Sequence, residues 1–150
     1  MGIKIIADNR KARFRYEVLD RFEAGVVLVG TEVKSLRAGN LTISESYAYV
    51  RKNQLYWLNA TIPEYKHGNI HNHEPQRTRK LLAHQKEIKR LIGAIKEKGL
   101  TLVPLKAYWK RGKVKVEIGI CRGKKLHDKR ATQKDRDWGR EKQRLLKHNV

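Results

Sequence analysis

Three histidines have a spacing that could support metal chemistry. His67, His71 and His73 follow the pattern H-x3-H-x-H, and imidazole nitrogens at close spacing can hold zinc. The single cysteine, Cys121, lies far away in the sequence, and the segment around the histidines is merely polar. We therefore expect no metal at this position.

Carboxylates and a hydroxyl form the second group of candidate chemical residues. Glu23 and Glu32 could act as an acid and base pair, but no local spacing brings them together. Ser35 lacks a nearby histidine and aspartate at a spacing that would activate it. The glycines do not form a phosphate-binding loop. The sequence predicts a protein that is not an enzyme and needs no cofactor.

Basic residues form clusters that suit a polyanion better than a small substrate. Residues 9–13 place positive groups along one short segment, where Asn9 adds a donor and an acceptor. Arg77, Arg79 and Lys80 form a second cluster before the longest helical pattern. Such groups contact phosphates in nucleic-acid complexes. Aromatic side chains could stack on bases or pack the core, and they are Tyr47, Tyr49, Tyr56, Trp57, Tyr108 and Trp109.

The charge balance supports nucleic acid as the partner. The 150-residue chain has a formal net charge of +20. Residues 1–121 contain 24 Lys or Arg and 11 Asp or Glu. Residues 122–150 contain 11 Lys or Arg and four Asp or Glu. No apolar stretch is long enough to span a membrane, and a single cysteine fits a reducing compartment. We expect a soluble, cytoplasmic, monomeric protein with no membrane partner.

Short strand patterns outnumber helical ones along the chain. A 3.6-residue period from Leu81 to Ile95 predicts a helix that ends at Gly99. Strands are predicted at residues 16–19, 25–29, 47–51, 55–59, 100–109 and 113–120. The third and fourth of these form a hairpin with its turn at residues 52–54, and the last two form a hairpin with its turn at residues 110–112. In the last strand, Val114, Val116, Ile118 and Ile120 should point inward while Lys115 and Glu117 point outward. This pattern favours a mainly β fold with helices, a small closed antiparallel barrel.

A second, shorter helix is predicted at residues 32–38. Thr31 is placed as its N-cap and Gly39 follows its end. Val33 and Leu36 should face inward. The side chains expected on its outer face are Glu32, Lys34, Ser35 and Arg37.

Residues 122–150 form a basic tail that cannot fold alone. Large apolar side chains are almost limited to Trp138, Leu145 and Leu146, too few to offset about 1–2 kcal/mol of backbone entropy per residue. Thr132 and Asp135 nevertheless have the spacing of a capping box. The sequence predicts a tail that is disordered when free and becomes helical on a partner.

The tail contains a distinctive run of blocks, Gly123-Lys124-Lys125, then His127-Asp128-Lys129-Arg130, then Trp138. This run resembles the carboxyl terminus of the SsrA-binding protein family, also called small protein B or SmpB. The similarity continues upstream in residues 9–13, 22–25, 30–39, 77–82 and 108–110. These blocks lie in the family's order and cover nearly the whole chain.

The resemblance implies a fold and a function. The fold would be an OB-like barrel of residues 1–121 with about three helices, followed by the tail of residues 122–150. The protein would bind the tRNA-like domain of transfer-messenger RNA (tmRNA) and help deliver alanyl-tmRNA to stalled ribosomes in trans-translation, a form of ribosome rescue. The tail would enter the empty decoding centre, beside small-subunit rRNA, and continue as a helix into the mRNA channel.

The resemblance also assigns residues to these contacts. Asn9, Arg10, Arg13, Glu23, Leu82 and Lys115 match family positions implicated in RNA binding. With the basic clusters and the outer helix face, the predicted RNA-binding set is Asn9, Arg10, Lys11, Arg13, Glu23, Lys34, Arg37, Arg77, Arg79, Lys80, Leu82 and Lys115. The predicted decoding-centre residues of the tail are Gly123, Lys124, Lys125, His127, Asp128, Lys129, Arg130 and Trp138. His127 would stack on a ribosomal base.

Two other interpretations fit the same composition. A generic basic RNA-binding or ribosome-associated protein with an OB-like barrel would occupy every ribosome rather than only stalled ones. A tRNA-processing enzyme would need an acid, base or metal site, for which His71, His73 and Glu23 are the candidates.

Overall fold

Seven strands and three helices make up the part of the chain that the structure, a computed structural model, describes: residues 2–66 and 72–123. In chain order they are β1 (Lys4–Asp8), α1 (Arg10–Arg15), β2 (Tyr16–Val26), α2 (Gly30–Arg37), β3 (Tyr47–Arg51), β4 (Gln54–Leu58), β5 (Arg79–Leu82), α3 (Gln85–Lys98), β6 (Thr101–Lys110) and β7 (Lys113–Gly123). Among these described helices, none has the length and apolar character needed to cross a membrane.

The strands pair into a closed ring. The order is β6-β3-β4-β5-β2-β7, and β7 pairs again with β6, while β1 adds to the free part of β6. Every pairing is antiparallel. The β3–β6 junction consists of the single pair Ala48 and Leu102, and the β2–β5 junction has two pairs. The predicted antiparallel closed fold with three helices is confirmed, as an irregular ring rather than a regular barrel.

The inside of the ring holds the main hydrophobic core. Val114, Val116, Ile118 and Ile120 are buried, which confirms the predicted inward alternation of β7. Gly119 allows β6 to approach closely, because a Cβ at that position would lie 2.9 Å from Leu105 Cδ1. Trp57, Leu81, Leu91 and Leu102 fill the centre of the same core.

The predicted break between residues 16–19 and 25–29 is wrong. β2 is one strand from Tyr16 to Val26, because β7 pairs with it from Tyr16 to Gly25 and β5 pairs with Val26. A bulge between Val18 and Asp20 shifts the register, so the inward and outward residues change parity within one strand.

The start of the long helix also differs from the prediction. Leu81 and Leu82 belong to β5, where Leu81 pairs with Leu55 on one side and Val26 on the other. α3 begins only at Gln85, and Gly99 ends it in the left-handed conformation with φ of 62°. The tertiary pairing of β5 thus overrides a helical period that continued through it.

Both predicted hairpins are confirmed. Lys52 and Asn53 join β3 to β4 with φ values of 50° and 61°. Arg111 and Gly112 join β6 to β7 with φ values of 53° and 74°. Two successive positive φ values are typical of the tight turns that match the twist of antiparallel strands.

Several predictions concern residues outside the described ranges. β7 continues to Gly123, beyond the predicted boundary at residue 121. The remaining decoding-centre candidates lie outside, and they are Lys124, Lys125, His127, Asp128, Lys129, Arg130 and Trp138. His67 and His71 also lie outside. The predictions for all these residues stay predictions.

Candidate nucleic-acid interface

Helix α1 is anchored by Asn9, which lies just before it. The Asn9 backbone N–H donates to the Leu105 carbonyl at 2.8 Å and its side-chain amide donates to the Pro104 carbonyl at 2.9 Å. Its side-chain oxygen accepts from the Ala12 N–H at 3.2 Å, the arrangement of an N-cap. Because Asn9 is 2% exposed, the expected direct RNA contact from its amide does not agree with the structure. Asn9 instead positions α1 on β6.

The cations of α1 do face solvent. Arg10, Lys11 and Arg13 are exposed. Arg13 lies 3.7 Å from Asp8, and Lys11 lies 3.6 Å from Glu45. Ion pairs this exposed contribute about 0–1 kcal/mol to stability, so these side chains remain available to phosphates.

Helix α2 is held in place by the buried carboxylate of Glu32. Glu32 and Ser35, predicted on the outer face, are 0% and 2% exposed, which is a correction. Glu32 accepts from the Val29 N–H at 2.9 Å, closing the first turn of the helix. Ser35 donates to the Pro63 carbonyl at 2.8 Å. Thr31 is not the N-cap, since Val29 occupies that position.

Arg79 is the buried partner of Glu32. Its Nε donates to Glu32 at 2.6 Å, and its other nitrogens donate to the carbonyls of Ala60 and Pro75. Arg79 is 0% exposed, so the predicted phosphate contact from it does not agree with the structure. Arg77 donates to the same carboxylate at 2.7 Å and is only half-buried.

This network sets the protonation of the pair. Burial opposes ionisation of Glu32, but hydrogen bonds from Arg77 and the Val29 N–H, with the charge of Arg79, hold its pKa below the usual value. Burial likewise lowers the pKa of Arg79, against the opposing effect of Glu32. The pair is ionic and ties β5 to α2.

His73 is part of the fold. Its Nδ1 lies 2.9 Å from the Thr31 hydroxyl and its Nε2 lies 2.7 Å from the Ile62 carbonyl. Because a carbonyl only accepts, Nε2 carries the proton and Nδ1 accepts from Thr31. Both ring nitrogens therefore have protein partners, which does not suit the expected alternative of a zinc ligand.

A lateral row of side chains crosses the outer surface of four strands. Gly25 of β2 pairs with Leu82 of β5 on one side and with Lys115 of β7 on the other. Lys115 in turn pairs with Tyr108 of β6. The ring therefore brings Leu82 and Lys115 together although they are far apart in sequence. We name the outer surface formed by Glu23, Gly25, Leu82, Tyr108 and Lys115 the β2–β7 face.

Gly25 leaves the middle of that row open. A Cβ built on it would lie 3.5 Å from the Leu82 Cβ and 3.6 Å from the Lys115 Nζ. Leu82 is 53% exposed. The opening belongs to a groove of about 350 Å³ whose walls include Leu28, Trp109 and Lys113. The groove thus offers an apolar floor beside two ammonium groups.

Glu23 is held in a fixed orientation on this face. The Tyr108 hydroxyl donates to Glu23 Oε2 at 2.5 Å, and the Lys110 Nζ lies 3.3 Å from the same oxygen. The Tyr108 hydrogen bond lowers the pKa of Glu23 more than burial raises it, and Lys110 and Lys115 add to the lowering. Burial and the neighbouring carboxylate raise the pKa of Tyr108. Glu23 is therefore ionised, and its Oε1 has a long contact of 3.5 Å with the Lys110 Nζ, which leaves that oxygen able to accept a further hydrogen bond.

The other predicted sites are distributed around the ring. Lys34 and Arg37 are exposed on α2, and the Lys34 Nζ lies 5.5 Å from the centre of the Tyr65 ring. Lys80 is exposed on β5. Gly123 is the last residue of β7 and is exposed. The structure brings Glu23, Leu82 and Lys115 together on the β2–β7 face.

Sequence reasoning missed three contributors to this site. Gly25, Lys110 and Lys113 line the groove or hold Glu23, but none was predicted as a site residue. Tyr108 was predicted as a possible stacking residue, whereas it is 3% exposed and orients Glu23. The cross-strand register of β2 with β7 is the signal that could have identified them, because it places Gly25 opposite Lys115.

Comparisons with known proteins agree with the blocks of residues described above. The family model described as "SmpB protein" matches residues 6–148. An SsrA-binding protein from Magnetococcus marinus is 64% identical over 149 residues, covering 99% of both chains. An SsrA-binding protein from Afipia carboxidovorans is 58% identical over 146 residues, covering 97% of this chain and 93% of the relative.

A solved structure has the same fold. It is described as "tmRNA-SmpB: a journey to the center of the bacterial ribosome", and it superposes with a TM-score of 0.66 at 50% identity. The match covers 80% of this chain and 85% of that chain. The chain described here belongs to the SmpB protein family.

Proposed function

We propose that this protein binds tmRNA through the tRNA-like domain and acts in trans-translation by helping to deliver alanyl-tmRNA to stalled ribosomes. Membership of the SmpB family supports this proposal, and so does the name SsrA-binding protein carried by relatives 64% and 58% identical. The similar solved structure is described with tmRNA and the bacterial ribosome, which supports both as partners.

The observation that carries the proposal is the β2–β7 face. Lys115 places an ammonium group beside the open position of Gly25, where a phosphate could approach the strand closely. Leu82 supplies an exposed apolar surface next to it, suited to the face of a base or ribose. Arg10 and Arg13 on α1 add positive charge, in keeping with the electrostatic part of RNA affinity.

Glu23 gives this face its selectivity. A carboxylate repels phosphates, so an ionised Glu23 in an RNA interface must accept from a base edge or from a ribose 2′-hydroxyl. Tyr108 and Lys110 fix its orientation in the free protein, so little ordering is needed on binding. Asn9 and Arg79 contribute indirectly, since they hold α1 and β5 in place.

The tail of the protein serves the second partner in this proposal. Residues 124–150 follow directly from Gly123 at the end of β7. They carry an excess of Lys and Arg over Asp and Glu, which suits rRNA in the empty decoding centre and the mRNA channel. The body would bind tmRNA while the tail binds in the empty decoding centre and mRNA channel of the ribosome.

The experiment that tests the proposed function is equilibrium binding of the full-length protein to tmRNA, competed by excess bulk tRNA at near-physiological salt. We expect tmRNA to resist the competition. Glu23→Ala should weaken tmRNA binding by about 10- to 100-fold, because a hydrogen bond to a charged group is worth roughly 1.5–3 kcal/mol. Equal competition by bulk tRNA would reduce the protein to a generic basic RNA binder.

Glu17→Ala is the matched control. Glu17 lies on the same strand, is exposed, and pairs with Arg122 at 2.6 Å. Both substitutions remove one negative charge, so a purely electrostatic interface would bind RNA equally well or more tightly after either. Only a directed contact makes Glu23→Ala weaker and leaves Glu17→Ala unchanged or slightly tighter.

The tail is tested by deletion of residues 124–150, which begins beyond β7. We expect tmRNA binding to change by only a few-fold, because the β2–β7 face is intact. Peptide tagging on stalled ribosomes should be lost in a reconstituted translation assay. Normal tagging by the truncated protein would show that the tail has no role in the decoding centre.

A further inference from the structure

Three tyrosines face outward on the hairpin of β3 and β4. Tyr47 is 42% exposed and Tyr49 is 37% exposed, whereas the residues between and after them, Ala48 and Val50, turn toward the core. Tyr56 of β4 pairs directly with Tyr49 and is half-buried. The outer surface of this hairpin is therefore largely aromatic.

The register extends this surface to a cation on the next strand. Tyr56 pairs with Tyr49 on one side and with Lys80 of β5 on the other. The rings of Tyr49 and Tyr56 have their centroids 6.2 Å apart and are tilted by 38°. Arg51 lies at the end of the same strand as Tyr49 and is exposed. We name the outer surface of Tyr47, Tyr49, Arg51, Tyr56 and Lys80 the tyrosine face.

Burial separates these rings from the other aromatic candidates. Trp57 is 0% exposed inside the ring, and Tyr108 is 3% exposed and bonded to Glu23. Trp109 packs against the small core cluster of Leu36, Ile62 and Val114. Of the six aromatic residues that the sequence offered for stacking, the structure thus leaves the rings of the β3–β4 hairpin in position to meet a base.

The strands of the tyrosine face carry cations and no carboxylate; the exposed Glu45, which shares a pocket with Tyr47 just before β3, is paired with Lys11 and Arg15. β3, β4, β5 and the turn of Lys52 and Asn53 contain no Asp or Glu. Arg51, Lys52 and Lys80 are exposed around the rings. A combination of exposed aromatic rings and cations without carboxylates complements a strand of unpaired nucleotides, whose bases stack while its phosphates are neutralised.

We propose that the tyrosine face is a second RNA-binding surface, which holds unpaired nucleotides by stacking bases on Tyr49 and Tyr56 beside Lys80 and Arg51. Its rings lie on β3 and β4, which the strand order places across the ring from β2 and β7, and the two surfaces meet only at β5, through Lys80 and Leu82. The protein thereby binds two RNA segments at once, a folded one through directed contacts and a single-stranded one through stacking.

Stacking is tested with the full-length protein and two fluorescein-labelled probes of equal charge. One probe is a 12-nucleotide oligoadenylate, and the other is an abasic phosphodiester strand of the same length. Anisotropy titrations at about 0.3 M salt suppress the non-specific charge contribution. Because stacking on one ring typically contributes about a tenfold factor or more, we expect oligoadenylate to bind at least about tenfold more tightly.

The double variant Tyr49→Leu/Tyr56→Leu assigns that preference to the two rings. Leucine keeps an apolar side chain on the strand and removes the aromatic face, so the variant should bind both probes equally. Tyr49→Phe/Tyr56→Phe is the matched control and should keep the preference. Equal binding of the two probes by the unmodified protein overturns the proposal, and so does a Phe variant as weak as the Leu variant.

Two further measurements keep the result independent of folding and of the proposed function. An oligonucleotide carrying 4-thiouridine, crosslinked to the unmodified protein by ultraviolet light, should label the β3–β4 hairpin; labelling confined to other segments overturns the proposal. The Leu variant should still prefer tmRNA over bulk tRNA, because its β2–β7 face is unchanged. Loss of that preference would overturn the separation of the two surfaces.

Discussion

The two outer surfaces that we propose as RNA-binding sites differ in the charges that they present. The β2–β7 face places the carboxylate of Glu23 among the cations Lys110 and Lys115. The tyrosine face has no carboxylate at all on its three strands. A carboxylate reduces the general attraction for phosphates, so under the proposed function the first surface has lower general affinity and higher selectivity than the second.

The two surfaces also differ in how their side chains are held. Glu23 is fixed by Tyr108 and Lys110 before any ligand arrives. Tyr49 and Tyr56 contact each other as tilted rings, and Tyr49 is 37% exposed while Tyr56 is half-buried. Directed hydrogen bonds suit one folded RNA, whereas aromatic faces accept any unpaired base.

Strand β5 connects the two surfaces. Its outward residues are Lys80, next to Tyr56, and Leu82, next to Gly25. Its inward residue Arg79 forms the buried ion pair with Glu32 of α2. β5 therefore supports both surfaces. Weakening its buried ion pair should reduce RNA binding by both surfaces together.

The largest effect is expected from Glu32→Gln. The amide cannot balance the guanidinium of Arg79, and breaking a buried ion pair by removing one partner costs about 3–5 kcal/mol. The free energy of unfolding, measured by urea denaturation, should fall by this amount. Oligoadenylate and tmRNA affinities should both decrease, since β5 carries residues of each surface.

Glu87→Gln is the control for this substitution. Glu87 pairs with Arg90 at 2.7 Å on the surface of α3, so its loss should cost about 0–1 kcal/mol. The pH dependence distinguishes the two carboxylates further. Because the folded-state pKa of Glu32 lies below its usual value of 4.5, its contribution is fully present above that pH and is lost as the pH falls through the lowered pKa. A Glu32→Gln variant as stable as the Glu87→Gln variant would contradict this role.

A smaller and more selective effect is expected from Gly25→Ala. The added methyl group would lie 3.5 Å from Leu82 and 3.6 Å from Lys115, which is ordinary van der Waals contact, so the strand should fold with stability changed by less than about 1 kcal/mol. The methyl group would nevertheless fill the opening of the groove. We expect tmRNA affinity to fall roughly tenfold, the loss of about one directed contact.

The tyrosine face provides the reference for that experiment. Gly25→Ala should leave the preference for oligoadenylate over the abasic strand unchanged. Tyr49→Leu/Tyr56→Leu should remove that preference and leave binding of tmRNA unchanged. If Gly25→Ala weakens both ligands equally, the two surfaces are not independent. Unchanged tmRNA affinity would instead place the RNA away from the β2–β7 groove.

Local patterns were sufficient for much of the fold. The alternation of Val114, Val116 and Ile118 correctly predicted the inward side of β7, because a strand exposes every second residue to one environment. Both hairpin turns and the end of α3 at Gly99 followed from turn and cap residues. Wherever a residue's neighbours in the chain decide its conformation, the sequence contains the information.

The site was less predictable because burial of a polar residue depends on distant strands. Asn9, Glu32 and Arg79 are polar or charged residues of the types that usually lie at exposed binding surfaces, yet they are 2%, 0% and 0% exposed. Glu32 and Arg79 can be buried only because each satisfies the other's charge across 47 residues of sequence. No local window contains both partners.

The sequence by itself determined a basic, mainly antiparallel β protein, its hairpins and its resemblance to the SmpB family, because charge, alternation and turn residues act over a few positions. Only the tertiary structure decided which cations face solvent, which aromatic rings are available to bases, and that Leu82, Gly25 and Lys115 form one row. Ring closure is the physical reason, since it brings together strands whose register no single strand specifies.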